Sequence, residues 1–176
     1  MTPELAVLLA RYNLRMNAQL GNAASTLSND ALMQDRQAFF GSIFLTLQHL
    51  LVTDLIWLNR LSAHPGAQVL REGLASQPRP TSLRQVLTTD GPDLQDRRSV
   101  LDALILRWVQ GLIQQDLDDV LAYHNMAGEP HCKRLGDLLA HLFNHQTHHR
   151  GQASTLLVQA GVAVGVTDLL LELPER

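Results

Sequence analysis

The segment from Phe39 to Leu58 restricts the possible folds of this chain more than any other. Phe39-Phe40-Gly41-Ser42-Ile43-Phe44-Leu45-Thr46-Leu47-Gln48-His49-Leu50-Leu51-Val52-Thr53-Asp54-Leu55-Ile56-Trp57-Leu58 is apolar nearly all round a helix. Such a helix belongs at the centre of a packed assembly, because no face of it suits water. We read it as the second helix, spanning about residues 36–63 and ended by His64-Pro65-Gly66. Three further stretches carry helical periodicity. Thr2-Pro3-Glu4 offers an N-cap and a first-turn proline for a helix over residues 2–25. Its apolar stripe is Leu5, Leu8, Leu9, Tyr12 and Met16, and a solvated face accounts for Asn13, Arg15 and Asn17. A third helix, over residues 93–115, shows Val100, Leu104, Trp108 and Leu112 as its stripe. The fourth runs from Leu135 to Gln159 and meets a left-handed glycine cap at Ala160-Gly161.

The segments between them are weaker in pattern. Residues 73–93, broken by Pro78, Pro80 and Pro92, read as a long irregular connection of the kind that covers a site or serves an interface. Residues 116–134, around Asn125-Met126-Ala127-Gly128, read as an irregular loop, with a short hairpin as the alternative; residues 166–173 read as a last short helix. Residues 28–33 restart a short helix after the first. The expected architecture is all-α: one domain over residues 1–176, a four-helix bundle with a long connection between helices two and three.

The fourth helix concentrates histidine. His141, His145, His148 and His149 are half of the chain's 8. Residues four apart on a helix stand one turn above each other, so His145 with His149, or His141 with His145, can chelate one ion. The apolar seam separates the pairs. Leu135, Leu138, Leu142, His145, His149 and Leu156 step by helical intervals along a core-facing line, while Arg134, Asp137, His141, Asn144 and His148 fall on a more polar face. An imidazole on a buried face costs free energy unless its nitrogens are occupied, and one shared metal satisfies two of them at once. In the second helix His49 shares a face with Leu45, Val52 and Ile56. A lone core histidine is ordinarily hydrogen-bonded. Opposite a His-x-x-x-His pair it becomes a third ligand, and three imidazoles with open positions suit a catalytic metal more than a structural one. Asp54 then reads either as a residue that orients a ligand or as the partner of an arginine.

Composition excludes several classes. The net charge of -3 and the absence of a basic run argue against nucleic acid or an anionic membrane surface. No basic, apolar leader opens the chain and no apolar run reaches the length of a membrane span, so a cytoplasmic protein is expected. The single cysteine, Cys132, allows no intrachain disulfide and no cysteine-rich zinc site.

Two motifs together resemble a known family. Phe40-Gly41-Ser42-Ile43, Leu47-Gln48-His49-Leu50-Leu51-Val52-Thr53-Asp54 and Ile56-Trp57-Leu58 are similar to the second helix of the DinB family of damage-inducible metal-binding bundles. Phe143-Asn144-His145-Gln146-Thr147-His148-His149-Arg150-Gly151-Gln152 is similar to that family's fourth-helix signature, and Gly165-Val166-Thr167-Asp168 to one proteobacterial branch. The resemblance implies one divalent ion, zinc or nickel, held by His49, His145 and His149, and a homodimer. It also implies kinship with thiol-dependent isomerases and S-transferases that use mycothiol, bacillithiol or glutathione. The expected function is therefore a metal-dependent enzyme joining a low-molecular-weight thiol to a small electrophile in stress or detoxification, or else activating water for hydrolysis. The alternative is a non-catalytic metalloprotein whose ion fastens helices two and four, closed by a fourth ligand such as His141 or Glu129, with its role in dimer or partner contacts. No residue is assigned as a base; Asp54, Tyr123 and His148 each have a structural role open to them. A role on DNA fails, because the chain has neither a basic face nor an acidic triad for nucleotidyl transfer.

Overall fold

In a computed structural model, which describes residues 1–175, four long helices carry the core. These are α1 (Pro3–Ala24), α3 (Ile43–Leu61), α5 (Gly91–Val109) and α7 (Leu135–Gln159). The chain is nevertheless not the all-α four-helix bundle expected. Three short helices, α2 (Asn29–Met33), α4 (Gln68–Leu74) and α6 (Gln114–Asp118), interrupt the connections, and a two-stranded antiparallel sheet stands before α7. Among the described residues no helix is long and apolar enough to cross a membrane.

The helix starts follow from local chemistry. Thr2, Ser42 and Asp90 each accept a backbone N–H three residues on, from Leu5, Leu45 and Asp93, satisfying donors that a helix N-terminus leaves free. At the other end of α7, Gly161 takes φ 83°. There the Gly161 and Val162 N–H groups donate to Val158 and Leu157, the paired bonds of a glycine-capped helix end.

The second helix begins later than its sequence pattern suggests. Residues 36–42 form a turn in which Gly41 (φ 86°) donates to Ala38 and accepts from the Arg36 N–H, and Ser42 then caps α3. This turn leaves Phe39 exposed and swings Phe40 back against α3. A Cβ at position 41 would meet only an ordinary contact, Asp35 Oδ1 at 3.7 Å, so its cost is conformational. We expect Gly41→Ala to destabilise the chain by about 1–2 kcal/mol, read as a lower urea midpoint at constant slope. An unchanged midpoint would show that the turn relaxes.

Core packing explains which faces were misread. Ala6 and Ala10 on α1 are buried, and their small side chains let α1 lie close to α5 and α7. Leu51, Leu55 and Leu58 of α3, Leu101, Ile105 and Trp108 of α5, and Leu138, Leu142 and Leu157 of α7 fill the centre. Each such side chain contributes about 1.5–3 kcal/mol by leaving water. Leu5 is 41% exposed and Val100 55% exposed, so both fall off the stripes assigned to them. Asn13 and Asn17, read as solvated, are buried instead. Arg15, with Tyr12 and Gln19, straps the C-terminal segment along α1. Tyr12 donates to Thr167 O at 2.8 Å, Gln19 to Val164 O at 2.6 Å, and Arg15 pairs with Glu172 at 2.6 Å. The last short helix is a single 3-10 turn, Leu169–Glu172.

The stretch after α6 is a hairpin, correcting the loop expected there. Strands β1 (Val120–His124) and β2 (Pro130–Arg134) pair with Tyr123 opposite His131. Asn125 closes the turn, its Oδ1 accepting from the Ala127 and Glu129 N–H groups, and Gly128 takes φ 82°. Only Leu121 of β1 is buried, so the hairpin shows little of the apolar alternation that marks a strand in sequence.

Candidate metal centre

The capped turn before α3, the middle of α3 and the middle of α7 bring three imidazoles together. One nitrogen of each of His49, His145 and His149 lies within 4.8 Å of the others. Ring centroids are 4.4 Å apart for His145 and His149, 4.6 Å for His49 and His149, and 5.4 Å for His49 and His145. Phe40 stacks on His49 at 4.1 Å and meets His149 edge-on at 5.5 Å, shielding one side of the cluster.

Outer hydrogen bonds set the tautomers. His49 Nδ1 lies 3.1 Å from Leu83 O, which can only accept, so Nδ1 carries the proton and Nε2 keeps its lone pair. His149 Nδ1 donates to Gln152 Oε1 at 2.7 Å, with the same consequence. Gln152 in turn donates to His148 Nε2 at 3.3 Å, so His148 stands behind the cluster and does not join it. A carbonyl or amide on the far nitrogen is the usual support of a metal-bound imidazole, fixing ring orientation and raising basicity. His145 has no protein hydrogen bond among the described residues.

The cluster's electrostatics favour neutral rings. Burial, then the neighbouring imidazoles His149, His49, His141 and His148, depress His145 to about 3. Burial also lowers His49 and His149, against the support of Leu83 and Gln152 respectively. Protons therefore compete for these nitrogens only below the ordinary imidazole value of 6.5, and furthest below it for His145, at about 3. We expect metal affinity to stay nearly flat as pH falls from about 8 to 6.5 and to drop below that. Direct titration at each pH checks this. A loss of about tenfold per unit already above pH 6.5 would contradict it.

The inward positions of α7 differ from those read in sequence. His145 and His149 are half-buried, while Gln146 and Arg150 point deepest, at 0% and 4% exposure. Beneath the imidazoles these two join a buried polar network across four helices. Arg98 holds Asp102 with two bonds, at 2.8 and 3.0 Å, and pairs with Asp54 at 2.9 Å. Asn13 and Asn17 donate to Asp102 at 3.0 Å each, Arg150 donates to Asn13, and Gln146 donates to Leu50 O at 3.3 Å. Burial pushes Asp102 up to about 6 against the pull of Arg98, and lowers Arg150 to about 10. Asp54 thus belongs to an arginine and not to the ligands, the second of its two readings.

Other singled-out residues lie apart. His141 is exposed, edge-on to Trp57 at 4.9 Å, and Glu129 is engaged by Asn125 at the hairpin turn; neither joins the three nitrogens. Tyr123 stacks on His131 at 5.4 Å, and Cys132 is exposed on β2. Sequence reasoning missed Phe40, Gln152, Gln146 and the Leu83 carbonyl as parts of the centre. Gln152 stood inside the histidine stretch three residues past His149, but a backbone carbonyl from the distant connection leaves no sequence signal. A second group, His64, Asp116 and Asp119, also places donor atoms within 4.8 Å. There His64 Nδ1 accepts the Gly66 N–H, so Nε2 carries the proton toward Asp119 and has no lone pair to offer.

A helical protein that converges three neutral imidazoles from two helices, two of them oriented from behind, defines a class of candidate mononuclear metal protein. Its lineage is equally clear. The chain belongs to the DinB family, whose model matches residues 1–175. It is 29% identical over 168 residues to Protein DinB of Bacillus subtilis (strain 168), covering 94% of this chain and 91% of that one. Its fold is similar to the crystal structure of a DinB-like protein from Bacillus cereus ATCC 10987, with a TM-score of 0.59 at 20% identity over 89% of this chain and 91% of that one.

Proposed function

We propose that the chain is a metal-dependent enzyme that binds one zinc or nickel ion through His49, His145 and His149 and transfers a low-molecular-weight thiol to a small electrophile. The observation that carries this reading is the donor set: three imidazole nitrogens converge, and among the described residues no fourth protein ligand joins them. Imidazole suits both metals. A structural ion would instead be enclosed by four protein ligands. A divalent ion at such a centre supplies Lewis acidity, lowering the pKa of a thiol or water and fixing it before an electrophile.

The chain's own residues supply the rest. Leu83 O and Gln152 hold two rings in the orientation that presents Nε2. Phe40 excludes water from one side and divides two openings. One is a small cleft of about 70 Å³ beside His49, bounded by Leu83 and Arg84. The other is a groove of about 500 Å³ floored by Thr46, His148 and Gln152. No side chain is assigned as a base.

Metal analysis of the untagged protein, repeated with a panel of cellular thiols while following the metal's spectrum, tests the proposal. About one ion per chain with a spectrum perturbed by one thiol is expected. Metal that ignores every thiol would move the reading to hydrolysis or to the non-catalytic role, and no metal after reconstitution would end it. The proposal includes a homodimer, for which Leu5 at the rim of an apolar groove and the exposed Leu170, Leu171 and Leu173 offer unburied surface. The mass of the same sample by light scattering checks that part.

A further inference from the structure

A second feature lies next to the metal centre and is not used by it. From His145 an aromatic track runs outward: His141 at 5.9 Å, then Trp57 at 4.9 Å, with Tyr123 of β1 at 5.5 Å from Trp57. The Arg60 guanidinium sits over both outer rings, 4.8 Å from Trp57 and 5.7 Å from Tyr123. Stacking of this kind fixes the plane of the guanidinium and leaves its in-plane N–H fork free. Arg60 makes no ion pair and no side-chain hydrogen bond among the described residues. Burial lowers its pKa and Tyr123 opposes that; a guanidinium keeps its charge in a protein.

Arg60 lines a cleft of about 390 Å³ between the end of α3, the long connection and the hairpin tip. Arg79 lines the same cleft, likewise without an ion pair or side-chain hydrogen bond among the described residues. His124 and Asn125 line the same cleft, and no carboxylate does. The nearest acid on the hairpin, Glu129, is already held by Asn125 at 2.6 Å. Two arginines without a protein counter-ion thus line one concavity that holds no carboxylate, a lining whose charge suits an anion.

We propose that the Arg60–Arg79 cleft binds an oxyanion, carboxylate or phosphate, at the far end of the substrate whose reactive end lies at the histidines. The ligand class is thus a small organic anion long enough to run past Trp57 and His141. This inference rests on the catalytic reading of the metal centre for its purpose, but the anion site itself needs no metal. The stacked Arg60 sets the orientation of the anion, and Arg79, on the exposed connection, supplies the second positive charge.

Isothermal titration calorimetry with inorganic phosphate and with succinate, on wild type and on Arg60→Gln, Arg79→Gln and Arg107→Gln, tests it. Saturable binding of at least one anion is expected, weakened about tenfold or more in Arg60→Gln and Arg79→Gln and unchanged in Arg107→Gln, an exposed arginine on α5. Phosphate alone or succinate alone then names the source of the oxyanion. Arg60 also tethers the hairpin to α3; should Arg60→Gln fold poorly, Arg79→Gln, in an irregular segment, decides the matter. No saturable binding of either anion, or equal loss in Arg107→Gln, overturns the proposal. Metal is assayed on the same samples. Anion bound without metal at the histidines would remove the metal reading and leave the cleft, and metal without anion would remove the cleft alone.

Discussion

His145→Ala is expected to lower metal affinity by at least about a hundredfold, beyond the upper end of what losing an outer partner of a ligand costs. His145 is the ring 4.4 Å from His149 and the one with no protein hydrogen bond to satisfy, so its removal takes away one of the three converging nitrogens and frees no other partner. His149→Ala should behave alike. His141→Ala should still take up one ion per chain, because His141 is exposed and outside the three converging nitrogens. The fold should survive these changes, since α3 and α7 already share a close-packed core and the Gln146 to Leu50 bond. Stoichiometric metal retained by both His145→Ala and His149→Ala would mean the ion sits elsewhere. Loss in His141→Ala alone would place it on the outer face of α7.

Arg98→Met should cost about 3–5 kcal/mol, the usual penalty for removing one member of a buried ion pair. Arg98 is 6% exposed and lies between Asp54 at 1% and Asp102 at 3%. Methionine fills much of the same space but leaves two buried carboxylates facing each other. At about 2–4 °C per kcal/mol for a chain of this size, the melting temperature should fall by roughly 6–20 °C. Urea unfolding measures the free energy directly. Arg98→Lys keeps the charge but loses the two-bond fork on Asp102, so an intermediate loss is expected. A cost for Arg98→Met below about 1 kcal/mol would show that the carboxylates take up protons or water without penalty. Burial already raises both carboxyls, Asp102 to about 6.

Several features were legible because their causes are local. The α7 boundaries, Leu135 and Gln159, and the cap at Gly161 follow from periodicity and from the one residue that takes a positive φ without strain. The Thr2 cap and first-turn Pro3 mark the start of α1 in the same way. His145 and His149 announce themselves as a pair because a helix turns every 3.6 residues.

What stayed hidden depends on partners far along the chain. Asn13 and Asn17 have the spacing of a solvated face, and only partners far along the chain, Asp102 at 85 to 89 positions and Arg150 at 133 to 137, make burying them favourable. The Leu83 carbonyl that orients His49 comes from 34 positions away and carries no side-chain signature. The hairpin was obscured because only Leu121 of its residues is buried and only Tyr123 and His131 are half-buried, too few apolar positions to make the alternation that defines a strand.

The amino-acid sequence by itself determined that there are four long helices, the Thr2 and Gly161 caps and the pairing of His145 with His149, since each depends on contacts within a few residues. The tertiary structure alone decided that the Leu83 carbonyl orients His49, that Gln146 and Arg150 lie deeper than the histidines, and that Arg60 and Arg79 share a cleft. Those outcomes depend on which surfaces the core brings together, and burial changes the free energy of a polar group according to the partner it finds.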